Sequence, residues 1–219
     1  MKRNTQIKNG DNNGSKKQQD QEIKELKEEI KKLKNLVIRD GLTGALNKKG
    51  IQEEFDILFK EAFYIRKFKE IQKKTRRKLQ DHDLSIVFID LDDFKKINDK
   101  YGHNIGDQVL KMFFRILKEK IRAMDLIGRF GGEEFVIALP GASESVAYKK
   151  TEELRRYLQK SLVVAGHEGL NVTFSAGVAS FKKTDAESIM DLIAMADKAM
   201  YEAKMKRGKN NTVKYSEIA

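Results

Sequence analysis

Two adjacent glycines, Gly131 and Gly132, separate two runs rich in apolar residues in the second half of the sequence. The runs are 125–127 and 135–139, and glycine reaches positive φ without steric cost, so this segment predicts a tight β-hairpin. Glu133 and Glu134 then stand at the hairpin tip. Acidic residues beside a Gly-Gly turn are usually part of a solvated loop, so the pair indicates a functional site only if further groups gather around it.

Composition narrows the chemistry that such a site can use. The chain of 219 residues has no cysteine and three histidines, which excludes thiol chemistry and does not favour a histidine-rich zinc site. Carboxylates are plentiful, and they favour hard cations such as Mg²⁺ or Mn²⁺. No run of about 18 apolar residues is present to span a membrane, and the N-terminus lacks the apolar core of a secretory signal. We therefore expect a cytoplasmic protein without a transmembrane segment.

The positive charge of the chain is concentrated in its first part. The formal net charge is +11; residues 1–80 hold 22 Lys and Arg against 12 Asp and Glu, whereas residues 81–219 hold 22 against 21. The basic segment 66–78 is interpreted as a solvated helix end, with contact to nucleic acid or an anionic surface as the alternative. Because the part that contains the hairpin is nearly neutral, the sequence does not favour nucleic acid as a partner.

The N-terminal part predicts a tail followed by an amphipathic helix. Residues 1–20 are polar and are predicted to be disordered. Residues 21–38 place apolar side chains at alternating intervals of three and four, which predicts about two heptads of a coiled-coil seam. One interpretation is a lone helix that docks on its own domain, and the other is a short parallel coiled coil that holds a homodimer. The seam consists of Ile23, Leu26, Ile30, Leu33 and Val37.

The rest of the chain predicts alternating helices and strands. From residue 84 the predicted order is βαββαβα, which indicates an α+β, ferredoxin-like fold with a mainly antiparallel sheet and helices mostly on one face. The predicted elements are a turn-rich joint at 39–47, a helix at 49–79, a strand at 84–89, a helix from 92, a helix at 107–122, the hairpin, a helix at 143–161, a strand at 172–180, a helix at 186–206 and a short edge strand.

This topology brings several polar groups together. The first strand runs into Asp90 and can lie beside the hairpin, so we expect Asp90 near Glu133 and Glu134. The next helix, for which Asp92 is the predicted N-cap, begins at the same place and has two lysines in its first turn. Carboxylates for a cation, together with helix amides and lysines for phosphate, indicate a two-cation phosphoryl-transfer site.

Several ordered motifs also carry a resemblance to a known family. They are Asp40-Gly41-Leu42-Thr43-Gly44 with Asn47; Asp90-Leu91-Asp92, Phe94-Lys95, Asn98-Asp99, Gly102-His103 and Gly106-Asp107; Arg122-Ala123-Met124-Asp125; Gly131 to Phe135; Thr173 to Gly177; and Ala196-Asp197, Tyr201 and Ala203-Lys204. This set resembles the GGDEF family of diguanylate cyclases, in a Gly-Gly-Glu-Glu-Phe form, over about residues 39–210. The resemblance implies a palm or nucleotide-cyclase type of domain, placed here at 39–215.

The resemblance implies the activity and the metal ligands. Members of the family condense two GTP molecules, one on each of two facing domains, into cyclic di-GMP plus pyrophosphate. The implied ligands of two Mg²⁺ or Mn²⁺ ions are Asp90, the Leu91 carbonyl, Glu133 and Glu134. Glu133 is the residue implied to promote deprotonation of the ribose 3′-hydroxyl, so the implied catalytic residues are Glu133, Asp90 and Lys95.

The resemblance also implies how GTP is bound. Asn98 and Asp107 would read the guanine edge, because a carboxylate accepts from donors that adenine lacks. His103 would lie near the substrate, with a buried core histidine as the alternative. The remaining implied GTP-binding residues are Lys95 and the amides of Asp93 and Phe94 at the phosphates, Gly131 and Gly132 against the nucleotide, and Lys204.

The sequence departs from the family pattern after Lys204. Gly208 comes four residues later rather than three, so the phosphate-binding base is left open among Lys206, Arg207 and Lys209.

Arg122 and Asp125 match an Arg-x-x-Asp motif of members with an inhibitory cyclic di-GMP site, in which the arginine takes a guanine edge. A surface ion pair is the alternative for this motif. The additional arginine found on the next helix in such members is not clearly placed, because Glu153 stands there.

Two functions therefore remain to be distinguished. The first is an active, GTP-specific diguanylate cyclase that works as a homodimer and is inhibited by its product. The second is a catalytically silent receptor that binds cyclic di-GMP through Arg122 and Asp125. The second predicts a defective acidic cluster, which the sequence does not show.

Overall fold

The computed structural model describes residues 12–71 and 83–219. The chain divides into two compact units, an N-terminal one of residues 1–37 and a larger one of residues 38–219. Within the described residues, no helix has both the length and the apolar character needed to cross a membrane.

The first helix, α1, spans Asn12–Ile38. It starts before the predicted residue 21, so the expected disorder of residues 12–20 is wrong, while residues 1–11 lie outside the described part. Good helix formers, Lys and Gln, fill residues 16–19 and can extend the helix in this direction. All five residues of the predicted seam are exposed, by 49–64%.

The larger unit is built on one five-stranded sheet with the order β2-β3-β1-β4-β5. The pairs β2–β3, β3–β1 and β1–β4 are antiparallel, and β4–β5 is parallel. The predicted, mainly antiparallel sheet is therefore confirmed, with one parallel edge strand. The strands are β1 (Leu84–Leu91), β2 (Leu126–Arg129), β3 (Glu134–Pro140), β4 (Phe174–Ser180) and β5 (Thr212–Lys214).

In the described residues 38–71 and 83–219, five α-helices belong to this unit. Their starts differ from the predicted ones by a few residues; α6, for example, begins at Ile189 because Ser188 caps it, with its hydroxyl accepting from the Asp191 amide. Of the predicted helix 49–79, residues 72–79 lie outside the described part. The helices are α2 (Lys48–Ile71), α3 (Phe94–Tyr101), α4 (His103–Lys120), α5 (Glu144–Ser161) and α6 (Ile189–Met205).

Helices cover both faces of the sheet, so the expectation that they lie mostly on one face is wrong. On one face, Ile86 and Phe88 of β1 pack in a cluster with α2 and α6, and on the other, Val87 and Ile89 pack with α4 and α5. All eight residues of β1 are buried. A strand that is buried on both faces has a nearly continuous apolar sequence rather than an alternating one, and Leu84–Ile89 is of this kind.

A close backbone contact fixes α6 against the sheet. A Cβ atom on Gly177 of β4 would lie 2.0 Å from the Ala196 carbonyl oxygen and 2.2 Å from the Met200 amide nitrogen. Glycine is therefore required where β4 and α6 meet. This close packing lets Lys204, near the end of α6, reach Asp90 of β1.

Candidate active site

The pairing of β1 with β3 brings the predicted acids together. Asp90, near the end of β1, is the register partner of Glu134 at the start of β3. The Leu91 amide donates to the Glu133 carbonyl at 3.3 Å, which keeps the hairpin tip alongside the end of β1. The expected proximity of Asp90, Glu133 and Glu134 is therefore present.

The surroundings of these three carboxyl groups oppose their ionisation. Burial raises the pKa of Asp90, which is 8% exposed, although a hydrogen bond from Lys204 Nζ (2.6 Å) acts in the opposite direction. Burial, followed by the charge of Asp90, also raises the pKa of Glu133 and of Glu134. Neither glutamate side chain accepts a hydrogen bond from the described part of the chain.

This set of donors fits a divalent cation. Mg²⁺ and Mn²⁺ prefer oxygen ligands, and a bound cation offsets the repulsion among the carboxylates. Leu91 has a hydrocarbon side chain, which is buried in the core, so only its backbone carbonyl can act as a ligand. Across residues 12–71 and 83–219, no group of three or more acidic or histidine side chains is arranged so that it could hold a metal ion by itself. A cation at this place would therefore take further ligands from water or a bound phosphate, as is usual for Mg²⁺.

The turn after β1 presents the start of α3. Asp93 has a left-handed backbone (φ 55°) and precedes Phe94, the first residue of α3. The Asp93 side chain makes no capping hydrogen bond, and Lys95 is exposed in the first helical turn. Backbone amides at a helix start, with a lysine beside them, suit a phosphate group.

Asp92 is not the N-cap of α3, so that prediction is wrong. Its buried carboxylate accepts hydrogen bonds from Thr173 Oγ1 (2.8 Å), Ser175 Oγ (2.7 Å) and the Asn210 amide (2.9 Å). A buried carboxylate is stable only when such donors surround it. Asp92 therefore ties the phosphate-binding turn to β4 and to the loop after α6.

Among the three candidate bases after Lys204, one lies at this turn. Lys209 Nζ is 2.7 Å from Asp93 Oδ1, whereas Lys206 pairs with Glu202 and Arg207 with Glu217. Hydrogen bonds from Lys209 first, and then from Lys96, lower the pKa of Asp93 to about 2. The loop after α6 thus brings a second lysine to the turn, in addition to Lys204.

The residues expected to read guanine lie at the junction of α3 and α4. His103 is the first residue of α4, and Asp107 lies one turn later. Both are exposed, which removes the alternative of a buried core histidine. Asn98 is partly buried, and its carboxamide lies against Gly106, where an added Cβ would come within 1.9 Å of Asn98 Oδ1. Gly106 therefore leaves the space that Asn98 occupies.

A further contact, which the sequence did not reveal, connects the hairpin tip to the turn-rich joint at 39–47. Arg129 Nη1 donates to Asp40 Oδ1 (3.1 Å) and Oδ2 (3.2 Å), and Arg129 Nη2 donates to the Gly132 carbonyl (2.6 Å). Asp40 in turn accepts from the backbone amide and hydroxyl of Thr43. A planar guanidinium can make both sets of contacts at once.

Arg122 lines an open surface pocket of about 580 Å³ between the end of α4 and α5. Asp125 is buried, and its Oδ2 accepts from the Arg122 amide (2.9 Å) and from Lys150 Nζ (2.5 Å). The alternative of a simple Arg122–Asp125 side-chain ion pair is therefore not found. The other residues lining the pocket are Lys120, Val146, Lys149, Lys150, Glu153, Leu154 and Tyr157.

The sheet, with acids at the adjoining ends of its central strands and helices on both faces, is consistent with a palm-like domain. The chain belongs to the GGDEF family: residues 37–211 match the family described as diguanylate cyclase, GGDEF domain. Enzymes of this family generally use divalent metal ions.

Named relatives support this assignment. The chain is 42% identical over 127 residues to diguanylate cyclase A of Treponema denticola, a match that covers 58% of this chain and 34% of that protein. It therefore spans about a third of the length of that relative.

Solved structures are similar as well. The GGDEF domain of DgcB from Caulobacter crescentus in complex with c-di-GMP has a TM-score of 0.68 at 27% identity, covering 81% of this chain and 95% of that chain. The active GGEEF domain of a diguanylate cyclase from Vibrio cholerae has a TM-score of 0.65 at 28% identity, covering 77% of this chain and 96% of that chain.

Proposed function

We propose that this protein is a diguanylate cyclase that condenses two GTP molecules into cyclic di-GMP with release of pyrophosphate. The observation that carries the proposal is the pairing of Asp90 with Glu134, beside Glu133, next to the start of α3. Relatives named as diguanylate cyclases, one of them with an active Gly-Gly-Glu-Glu-Phe domain, support it.

In the proposed reaction, the ribose 3′-hydroxyl of each GTP attacks the α-phosphate of the other across a dimer. Two phosphodiester bonds form, two α–β phosphoanhydride bonds break, and two pyrophosphates leave. Asp90, Glu133, Glu134 and the Leu91 carbonyl would hold two Mg²⁺ or Mn²⁺ ions, which when bound would lower the pKa of the hydroxyl and offset charge on the phosphate. Glu133 promotes removal of the hydroxyl proton. Its carboxylate accepts no hydrogen bond from the described residues, which suits it to contact substrate or metal.

The turn before α3 binds the other phosphates. The amides of Asp93 and Phe94 and the Lys95 ammonium bind the β- and γ-phosphates. Lys204 and Lys209 add positive charge; Lys204 contacts Asp90 near the end of β1, and Lys209 contacts Asp93 in this turn. A phosphate replaces these carboxylates as their partner.

The guanine end of the site selects the base. Asn98 and Asp107 pair with the guanine edge, with His103 nearby, and adenine is rejected because it leaves the Asp107 charge without its donors. Gly132 has no atom within 4 Å of the position of a Cβ, so its backbone is open to the nucleotide.

A homodimer is proposed to bring two GTP sites together through α1. Its seam is exposed, with β-branched residues at the first position of each heptad and leucine at the fourth, a pattern that favours two parallel strands. In a parallel pair, Glu22 faces Lys27 of the partner and Glu29 faces Lys34 of the partner, whereas an antiparallel pair opposes like charges. Charge complementarity therefore supports a parallel, in-register dimer.

Cyclic di-GMP is proposed to inhibit the enzyme by binding in the pocket of about 580 Å³. Arg122 takes a guanine edge, and Asp125, buried under Lys150, shapes the loop that presents it. Glu153 occupies the position at which an additional arginine is expected, and Lys149 and Lys150 of α5 supply positive charge in its place. A volume of this order suits a small-molecule ligand.

Incubation of the purified full chain with GTP and Mg²⁺, followed by chromatography of the nucleotides, tests the proposed activity. We expect cyclic di-GMP from GTP and no cyclic product from ATP, and added cyclic di-GMP should slow the reaction. Arg122→Ala should remove this inhibition and leave the initial rate unchanged.

The second candidate, a silent receptor, is favoured by the pocket alone. It predicts saturable binding of cyclic di-GMP without product formation at any protein concentration.

A further inference from the structure

The two glycines of the hairpin tip have different surroundings. A Cβ on Gly131 would come within 2.0 Å of Glu134 Oε2, 3.0 Å of Cδ and 3.4 Å of Cγ, whereas a Cβ on Gly132 would meet nothing within 4 Å. Neither residue has a positive φ, so the backbone at both positions accepts alanine. The difference between them is therefore the Glu134 side chain, which lies over the backbone of Gly131.

The tip is held in this shape without the Glu134 carboxylate. The amides of Phe130 and Gly131 donate to the Glu134 carbonyl at 2.8 and 3.4 Å, and Arg129 holds the Gly132 carbonyl at 2.6 Å. The backbone contacts leave the carboxylate free to be placed by packing, and in the described residues it accepts no hydrogen bond that would place it otherwise. Its position over Gly131 is thus set by the space which that residue leaves.

We propose that Gly131 is a positioning residue: its missing side chain lets the Glu134 carboxylate fold back over the tip and stand beside Asp90, where it can hold a divalent cation. The inference rests on the proposed function, since it assigns a reason for Gly131 in the same site. The inference gives the two glycines different roles. Gly131 makes room for an acid of the protein, and Gly132 leaves room for the nucleotide.

The predicted consequence of Gly131→Ala is local. The atom that the new Cβ meets first is the far end of a flexible side chain, so Glu134 turns away while the hairpin backbone stays in place. The thermal unfolding midpoint should therefore stay close to that of the wild type. Cation binding should weaken, because one carboxylate no longer stands beside Asp90.

Mn²⁺ binding to the full chain, followed by electron paramagnetic resonance in the presence of a saturating non-hydrolysable GTP analogue, tests the inference. Four variants are compared with the wild type: Gly131→Ala, Gly169→Ala, Glu134→Gln and the double variant Gly131→Ala with Glu134→Gln. We expect Gly131→Ala and Glu134→Gln each to weaken Mn²⁺ binding by roughly tenfold or more. The double variant should be no weaker than Glu134→Gln alone, because both changes remove the same contact.

Gly169→Ala, in the loop between α5 and β4, is the matched control, because a Cβ there also meets nothing within 4 Å; it should leave Mn²⁺ binding unchanged. The inference is overturned if Gly131→Ala binds Mn²⁺ like the wild type, or if its effect adds in full to that of Glu134→Gln, or if the wild type itself does not bind Mn²⁺. A wild type that shows the expected Mn²⁺ pattern but forms no cyclic di-GMP from GTP counts against the proposed function alone.

Discussion

The central strand β1 has a buried aspartate at each end, and the two carboxyl groups have opposite surroundings. Asp83, just before the strand, accepts hydrogen bonds from the Leu84 amide (2.9 Å), Ser180 Oγ (2.7 Å) and the Lys182 amide (3.2 Å). Asp90, near the other end, accepts from Lys204, and burial raises its pKa. One end of the strand is built for stability and the other holds charge that a substrate complex must compensate.

Asp90→Asn should give the largest effect on activity. We expect the rate of cyclic di-GMP formation to fall by roughly a thousandfold, because the substitution removes a charged group from the reacting centre. The free energy of unfolding should not fall, since the lost charge is one that burial disfavours. Product formation and urea unfolding check the two halves of this prediction. A variant that keeps a tenth of the wild-type rate would contradict it.

Asp83→Ala should have the opposite effect: it should lower the free energy of unfolding and leave the rate of product formation nearly unchanged. Removing the carboxylate leaves the Leu84 and Lys182 amides and the Ser180 hydroxyl without this acceptor, and a buried donor without a partner costs about 1–3 kcal/mol. We expect that loss in urea unfolding, with a near-normal rate per folded molecule. An unchanged unfolding midpoint would show that Asp83 does not stabilise the base of the sheet.

Asp40→Asn should lower the rate by about tenfold, because it weakens the hold of Arg129 on the hairpin tip and small displacements of reacting groups are costly. The maximal rate should fall more than the KM for GTP rises. Asp56→Asn, in an exposed pair with Lys60 on α2, is the matched control and should leave the rate unchanged. Equal rates for both variants would mean that the joint does not position the hairpin.

Asn98 provides a further comparison, because it depends on Gly106 for its position. Gly106→Ala displaces the carboxamide, and we expect the KM for GTP to rise by severalfold while the maximal rate changes less. Steady-state kinetics at saturating Mg²⁺ measure both values. A lower maximal rate with an unchanged KM would place Asn98 outside guanine recognition.

The smallest predicted effect is a pH-dependent change in the free energy of unfolding, measured in EDTA so that no divalent cation is bound. The folded-state pKa values of Glu133 and Glu134 are raised, so their contribution to stability is present below the ordinary carboxyl pKa and is lost as pH rises through the raised values. The double variant Glu133→Gln with Glu134→Gln should therefore gain stability relative to the wild type between about pH 4 and pH 7. Because both side chains are partly exposed, the gain should stay below about 1 kcal/mol. Urea unfolding at the two pH values measures it, and a relative loss at pH 7 contradicts the sign.

The sequence was sufficient where its signals were local. The run from Leu84 into Asp90 and the Gly-Gly hairpin predicted two strands and the acids at their ends, and the order of elements predicted that those strands pair. The same run is nearly continuous in apolar residues, and this pattern is typical of a strand that is covered by helices on both faces.

Such local signals could not predict contacts between segments that are far apart in the sequence. Asp92 resembles a helix cap locally, yet its partners Thr173, Ser175 and Asn210 are 81, 83 and 118 residues away. The hold of Arg129 on Asp40 spans 89 residues. Only the folded sheet decides which of several polar side chains such a carboxylate meets.

The most direct test compares three proteins in one assay: the wild type, Asp83→Asn and Asp90→Asn, each as the full chain at high concentration with GTP. Cyclic di-GMP is measured as Mg²⁺ is added. We predict product from the wild type and from folded Asp83→Asn only when Mg²⁺ is present, and essentially none from Asp90→Asn at any Mg²⁺ concentration. Product from Asp90→Asn at the wild-type rate, or no product from a wild type that binds GTP, would contradict the assignment of the active site to this end of β1.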